Sequence, residues 1–545
     1  MPMDNIKTKE ISNDGIRNLL ETWRKYNSVV AGIFTVLIIA IFPLAFHDYY
    51  YDILVAKYIF YYGSVILMIV AMLAGAVFFW YKDRHEFGGI AVKQLLSKAN
   101  INILKKSDWA MMVFLIAVTI STLQSDYRFE SFWGNEGRYM GMFLMLLYGI
   151  SFFVISRCLR YRQWYLDAFL AAGIIACMIG ILHFFRIDPI GFKRGLVGDD
   201  YVIFTSTIGN INTYTSYVAM ISGMGTAMFS VEKNTYRRLW YLIVVVISLF
   251  ALIVGISDNA YLALLVLFGL LPLYLFRNID GVKRYVLLLA ILFTEFQVIG
   301  TLSHNFPNHV MEFKGLMNVI ASFGGLPYLI IGLWGCTACL YLAASKLPEN
   351  HRLHSGSNIG RWIWLGVILL VCIGVSYLLY DVNIAGNIEK YGALNQYLLL
   401  NDDWGTHRGY IWRIGMEFYQ KQPIHHKLFG YGPDTFGIIT VKNYFEDMVR
   451  RYGEKFDSAH NEYLQYLVTI GIVGLTAYLA LLLTSIIEML RTLKKRPELI
   501  AIAFAIICYG AQAAVNISVP IVAPIMLTLM MLGVSAVRDV SRNTE

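Results

Sequence analysis

Apolar runs, each long enough to cross a lipid bilayer, constrain the fold of this chain more than any other feature of its sequence. A helix needs about 20 apolar residues to span the hydrocarbon core, and by that rule we count about fourteen runs. They are Val29–Phe46, Tyr58–Trp80, Trp109–Leu123, Tyr139–Ile155, Trp164–Phe185, Ile211–Val231, Leu239–Ile256, Ala260–Phe276, Tyr285–Leu302, Val319–Ala344, Trp362–Tyr380, Tyr463–Leu490, Leu499–Ile517 and Ile521–Val537. Because backbone in lipid must satisfy its hydrogen bonds internally, the runs predict an all-α polytopic membrane protein.

The overall composition agrees with a chain that is solvated largely by lipid. It is 57% hydrophobic and 15% charged, whereas a soluble domain is about 45–50% apolar and about 25% charged. The net charge of +8 does not indicate nucleic acid binding, because the basic residues crowd into short loops between apolar runs. A Cys336-x-x-Cys339 pair lies inside an apolar run, where packing of small residues is the expected role.

Lysine and arginine alternate between crowded and sparse loops, which orients the chain. Loops rich in these residues stay on the cytoplasmic side, so both termini are predicted to be cytoplasmic. We therefore expect a multi-pass protein of the bacterial inner (plasma) membrane. The predicted divisions are a cytoplasmic leader (1–28), a membrane bundle of about eleven spans (29–380), one large extracytoplasmic loop (381–459), C-terminal spans (460–537) and a cytoplasmic tail (538–545).

The large loop is rich in aromatic and charged residues and predicts a folded, partly helical segment. Thr406–Gln420 has an apolar stripe at helical spacing and is stopped by Pro423. Residues 428–434 read Leu-Phe-Gly-Tyr-Gly-Pro-Asp, which indicates a glycine turn. Asn443–Lys455 predicts a second amphipathic helix, placed where it could lie on the membrane surface.

Four segments of the sequence resemble one known superfamily. The strongest is FDSAHNEYLQYLVTIGIVGLTAYLALL, in which His460 opens the helix that follows the large loop. Upstream, THRGYIWRIGMEFYQKQP and LFGYGPDTF resemble an Arg-x-x-Ile-Trp … Pro … Gly-x-Gly … Phe pattern, with Arg408 at the arginine position. SFWGNEGRYMG, with Arg138, and STIGNINTYTSY, with Asn210 and Asn212, are similar to two earlier motifs. Together they resemble the O-antigen ligase and Wzy-type polymerase superfamily.

This resemblance implies an extracytoplasmic glycosyltransferase that uses neither metal nor nucleotide sugar. Its donor is a glycan on undecaprenyl pyrophosphate, and its acceptor is a lipid, a protein or another glycan. The implied catalytic residues are His460 and Arg408, and the implied substrate-binding residues are Arg413, Arg138, Asn210, Asn212, Asn461 and Glu462. Many relatives carry Ser-Arg at the outer start of a central span, where this chain has Ser257-Asp258-Asn259. A donor-binding arginine is therefore missing there.

The chemistry of the residues suits that reaction. A pyrophosphate leaving group gains negative charge, which an arginine fork stabilises; Arg408 is the first choice, and Arg413 and Arg138 are candidates. The acceptor hydroxyl needs a base with a near-neutral pKa, which histidine supplies. We expect Asp457 or Ser458 to cap the following helix, so that His460 lies in its first turn near the positive end of the helix dipole. Direct attack would invert the anomeric carbon.

Other functions remain open at this point. Ligase and polymerase share the donor, and the sequence does not choose between them. A second enzyme class would use Asp48 or Asp52 as an acidic base in the first outer loop. A transporter or flippase of lipid-linked glycans would also need many spans, although we find no internal repeat of the kind that such proteins commonly carry. The acidic pair Asp402-Asp403 is more typical of a solvated loop than of a metal site.

Overall fold

The computed structural model describes residues 13–97, 104–313, 315–346 and 358–542, and within them nearly every element is a helix. The first are α1 (Asn13–Val36, continued to Leu44 by one π and one 3₁₀ turn), α2 (Ile53–Phe87), α3 (Ile90–Ser97), α4 (Lys106–Gln124), α5 (Arg128–Trp133), α6 (Met142–Cys158), α7 (Trp164–Phe184) and α8 (Asp199–Ile203). A two-residue hairpin follows, in which Phe204–Thr205 pairs antiparallel with Gly209–Asn210.

The remaining helices lead from the middle of the bundle to the C-terminus. They are α9 (Ile211–Val231), α10 (Thr235–Ile253), α11 (Asn259–Leu270), α12 (Pro272–Leu275), α13 (Ile279–Asn305), α14 (Leu316–Ala321), α15 (Leu326–Ser345), α16 (Ile359–Asn383), α17 (Asn395–Leu398), α18 (Trp404–Lys421), α19 (Ile424–Phe429), α20 (Phe436–Tyr452), α21 (Glu462–Thr492), α22 (Leu499–Ala513) and α23 (Ala523–Arg542). The 3₁₀ turn Ile388–Leu394 lies between α16 and α17.

The helix lengths confirm an all-α membrane protein. Among the described residues, ten helices are long and apolar enough to cross a membrane, and three shorter apolar helices accompany them. The count of fourteen spans remains a prediction. Helix α9 keeps the predicted bounds and is buried along most of its length. Helix α16 is its opposite, because only Asp381 and Val382 are buried in it; such apolar exposure suits a helix that faces lipid. The leader and tail fall partly on residues 1–12 and 543–545, outside the described part.

The two predicted loop helices are present as α18 and α20. Their buried side chains, with Tyr410, Ile414 and Phe436 at the centre, form a small core of their own. Helix α20 begins seven residues before the predicted Asn443, because Phe436 and Ile439 already belong to that core. This core also takes in the first residues of α21, so the loop is fixed to the helix that follows it. Whether α20 lies on the membrane surface stays a prediction.

Helix α21 is interrupted at Gly471, where the backbone has φ 71°. The break leaves carbonyl oxygens free, and the predicted glycine turn uses them: Gly432 N donates to Thr469 O at 2.9 Å and Tyr431 N donates to Val468 O at 3.2 Å. Ser121 Oγ of α4 also donates to Thr469 O, at 2.7 Å. The turn is therefore packed against the helix break.

Candidate active site

His460 stands directly before α21 in a backbone conformation with φ 45°. The helix cap is Asn461, whose Oδ1 accepts hydrogen bonds from Tyr463 N and Leu464 N, both at 3.0 Å. The expectation that Asp457 or Ser458 caps the helix is therefore wrong, and His460 precedes the cap instead of lying in the first turn. All three residue types can cap a helix.

Two arginines from distant parts of the chain lie close enough to His460 to act on its charge. Burial and, to a smaller extent, the positive charges of Arg408 and Arg138 lower the pKa of His460 to about 4, while Asp457 opposes them. Burial and neighbouring cations both disfavour the imidazolium form. The imidazole is therefore neutral at neutral pH, and within the described part of the chain it makes no hydrogen bond. It can accept a proton, but its pKa of about 4 lies below the near-neutral value that the sequence analysis expects of the base.

Arg408 enters the site from the start of α18, and its side chain is half-buried. The three residues before it, Gly405, Thr406 and His407, have left-handed backbone conformations with φ 62°, 60° and 64°. Burial lowers the pKa of Arg408, and the nearby Asp258 opposes that shift. Among the residues that the structure describes, none forms an ion pair or hydrogen bond with this guanidinium. Its donors are consequently available to an anion.

Arg138 reaches the site from the loop between α5 and α6. Its Nη2 donates to Asp457 Oδ1 at 2.6 Å, and its buried Nε has no partner within the described ranges. The loop is held by the buried Asp434, whose Oδ2 accepts from Asn135 N at 2.7 Å and Met140 N at 3.0 Å. Burial raises the pKa of Asp434 to about 7.

A small polar cavity of about 20 Å³ lies behind this loop. It is lined by Arg138, Asp434, Ser458, Gln465, Tyr466 and Ser518. The Oγ atom of Ser458 is buried there without a partner in the described part of the protein. Buried polar atoms of this kind are commonly satisfied by ordered water. Sequence reasoning missed Asp434, although its place in the Gly-Tyr-Gly-Pro-Asp turn was the available signal.

Arg413 is placed differently, because its guanidinium is already occupied. It holds Asp402 with two hydrogen bonds, at 2.9 and 2.8 Å, and Glu417 with one at 2.9 Å. Asp402 also forms an ion pair with Arg451 at 3.0 Å. Its negative charge is therefore shared between two arginines of the loop. No group of three or more histidine, cysteine, aspartate or glutamate side chains among the described residues has an arrangement that could hold a metal ion.

Asn210 and Asn212 organise the helix junction that carries Asp258. Asn210 caps α9 by accepting a hydrogen bond from Asn212 N at 2.9 Å. Asn212 Oδ1 in turn accepts from Ser257 Oγ at 2.6 Å and from Asn259 Nδ2 at 3.1 Å. The two asparagines thus hold the segment Ser257-Asp258-Asn259 in place. Many members of the superfamily that this chain resembles have Ser-Arg in that segment.

Asp258 itself, the neighbour of Arg408, accepts from Tyr397 Oη at 2.8 Å and Leu316 N at 3.1 Å. It therefore links the large loop to the start of α11. Glu462 is buried away from solvent and accepts from Tyr478 Oη at 2.6 Å and Tyr509 Oη at 2.9 Å.

Of the eight residues singled out in the sequence, the structure brings His460, Arg408 and Arg138 together. The other five serve caps, helix contacts or ion pairs.

Residues 313–479 match a family described as O-antigen ligase. The matched range contains Arg408, the glycine turn and His460, and it confirms the resemblance to the O-antigen ligase and Wzy-type superfamily. No curated protein matches the chain.

Proposed function

We propose, from the O-antigen ligase match at residues 313–479, that this protein is an extracytoplasmic glycosyltransferase of the bacterial inner membrane. It moves a glycan from undecaprenyl pyrophosphate to an acceptor, without a metal. One observation carries the proposal: an unprotonated His460 stands beside two arginines, of which Arg408 has no protein partner within the described residues. This transfer requires a base and, next to it, an arginine guanidinium that is available to bind phosphate oxygens.

The proposed reaction is a single displacement. The acceptor hydroxyl oxygen attacks the anomeric carbon of the donor sugar while His460 takes the hydroxyl proton. The bond from that carbon to the pyrophosphate oxygen breaks, and its electron pair stays with undecaprenyl pyrophosphate. Arg408 donates hydrogen bonds to the pyrophosphate oxygens, whose negative charge grows in the transition state. The product glycan has the opposite anomeric configuration.

The other residues of the sequence prediction have supporting roles in this proposal. Arg138 adds positive charge beside His460, and its ion pair with Asp457 keeps that charge in place. Arg413, Asn210, Asn212, Asn461 and Glu462 are proposed to position the helices and the loop, because their polar atoms are engaged by protein partners.

The pH dependence of transfer should reflect the lowered pKa of His460. A base acts in its neutral form, so a pKa of about 4 keeps His460 active at pH 5 to 8, and activity falls only below that range. In Arg138→Gln one neighbouring cation is lost, so the pKa rises and the acid limb of kcat/KM for the donor moves to higher pH. The measurement is that profile between roughly pH 4 and 8. An identical acid limb in both proteins would contradict the role of Arg138.

A deletion strain tests the proposed function and separates its two forms. Without a ligase, complete glycan chains accumulate on the lipid carrier; without a polymerase, single repeat units accumulate there. The measurement is the length of carrier-linked glycan, with and without complementation by the wild-type chain. Unchanged carrier-linked glycan in the deletion strain would contradict the transferase. Flipping of the glycolipid in proteoliposomes, with no change in the glycan, would favour a transporter.

A further inference from the structure

The backbone of His460 has a conformation that few residues other than glycine adopt. Its φ of 45° lies in the left-handed region, which is uncommon for a residue with a Cβ atom. Such a conformation persists only where the surrounding structure fixes it. The contacts that fix the backbone next to His460 therefore determine where its imidazole lies.

Two side chains hold the peptide groups on either side of Ala459, the residue directly before His460. The indole Nε1 of Trp412 donates to Ala459 O at 2.9 Å, and Ala459 N donates to Gln465 Oε1 at 3.0 Å. Because Ala459 is fully buried, loss of either bond leaves a buried backbone group without its partner, which is costly. We call Trp412 and Gln465 the peptide clamp.

Each residue of the peptide clamp is itself fixed by further contacts. Gln465 lies near the start of α21, and its carbonyl oxygen accepts from Thr469 Oγ1 at 2.7 Å. The ring of Trp412 packs against that of Trp404, with 5.2 Å between the ring centroids. Trp404 Nε1 in turn donates to Tyr397 O at 3.0 Å. The clamp therefore joins the helix that follows His460 to the folded part of the large loop.

Trp412 also connects the base to the arginine of the site. It lies four residues after Arg408 on α18, which is regular from Arg408 onward. Residues at that spacing are neighbours on one face of a helix. The same helix face therefore carries the guanidinium and, through the bond to Ala459 O, sets the position of His460.

We propose that Trp412 and Gln465 are positioning residues, which hold His460 where its imidazole takes the proton from the acceptor hydroxyl. This inference rests on the proposed function. Both residues act through His460, and neither contacts the donor or the acceptor. Displacement of a reacting group by about 1 Å costs about 10²-fold in rate. Loss of a clamp bond should therefore lower kcat and leave the KM values of donor and acceptor unchanged.

Transfer kinetics with membranes of the complemented deletion strain test the peptide clamp. Trp412→Phe keeps an aromatic ring but removes the N–H donor, and Gln465→Met keeps the side-chain length but removes the acceptor. At equal membrane levels we expect each variant to lower kcat by about tenfold or more, with both KM values unchanged. Gln465→Glu supplies an acceptor again and should recover most of the rate. Trp364→Phe is the matched control, because Trp364 Nε1 also donates to a backbone carbonyl, that of Gly269 at 2.7 Å, and its loss should leave kcat unchanged.

Comparison with His460→Ala separates failure of the clamp from failure of the proposed function. The combined variant Trp412→Phe/Gln465→Met should fall no further than His460→Ala, because all these changes act on one base. A larger loss, or no recovery in Gln465→Glu, would indicate a merely structural role and overturn the clamp. Wild-type kcat in both single variants, with transfer still lost in His460→Ala, would overturn the clamp and leave the proposed function standing. Undiminished transfer in His460→Ala would refute the proposed function and the clamp together.

Discussion

Replacing His460 by alanine should abolish surface glycan while leaving the protein in the membrane at the wild-type level. General bases contribute about 10²–10⁴-fold to a reaction rate, so transfer should fall by a factor in that range. The protein should still fold, because the imidazole makes no hydrogen bond to any described residue. The measurement is surface glycan and carrier-linked glycan in a deletion strain complemented with each variant, with the membrane level of each protein determined by immunoblot.

His425→Ala is the matched control for that experiment. It removes an exposed histidine from the same loop, and transfer should stay at the wild-type rate. Asp48→Asn tests the rival class with an acidic base. Asp48 is exposed, and its hydrogen bonds to described residues involve its backbone: its N–H donates to Asp52 Oδ1 at 2.9 Å and its carbonyl accepts from Tyr51 N at 3.0 Å. We expect no loss of glycan. Normal surface glycan in His460→Ala, together with loss of surface glycan in Asp48→Asn, would show that the base is Asp48 and not His460.

Arg408→Ala should reduce transfer by about 10²–10³-fold, the usual effect of removing a donor that stabilises transition-state charge. Arg408→Lys should recover little of this loss, because an ammonium group cannot present two parallel donors to a phosphate. The defect should appear mainly in kcat, since the stabilised charge develops in the transition state. The measurement is kcat and the donor KM in membranes that contain equal amounts of each protein.

Arg413→Ala provides the contrast for Arg408→Ala. Its fork is bound to Asp402 and Glu417, so transfer should fall less than about tenfold, which is far below the effect at Arg408. Any effect on the thermal unfolding of the loop should be larger than at Arg408, because the ion pairs are lost. If Arg413→Ala abolishes transfer and Arg408→Ala does not, the donor-binding arginine has been assigned to the wrong position.

The sequence predicted the features that depend on local pattern. Apolar length predicted helices long enough to cross a membrane, of which the described residues contain ten, and helical spacing with Pro423 predicted α18 in the large loop. His460 and Arg408 were found through motif resemblance, and the structure brings them together. These features could be read from a single stretch of chain at a time.

Contacts between distant segments could not be read in that way. Asp434 accepts a hydrogen bond from Met140 N, 294 positions earlier in the chain and two after Arg138, and no periodicity in either segment reveals this contact. The wrong helix cap has the same origin. Asp457 forms an ion pair with Arg138, and Ser458 lines the polar cavity. The cap of α21 is therefore Asn461.

The break of α21 at Gly471 turns the residues before it back alongside the rest of the helix. In one straight helix Glu462 and Tyr478 would lie roughly 24 Å apart along the axis, yet Tyr478 Oη donates to Glu462 Oε1 at 2.6 Å. His460 precedes this folded-back segment by two residues, so we expect the base to lie among the helix ends and not on an extension above them. An acceptor would then have to enter between the helices to reach it.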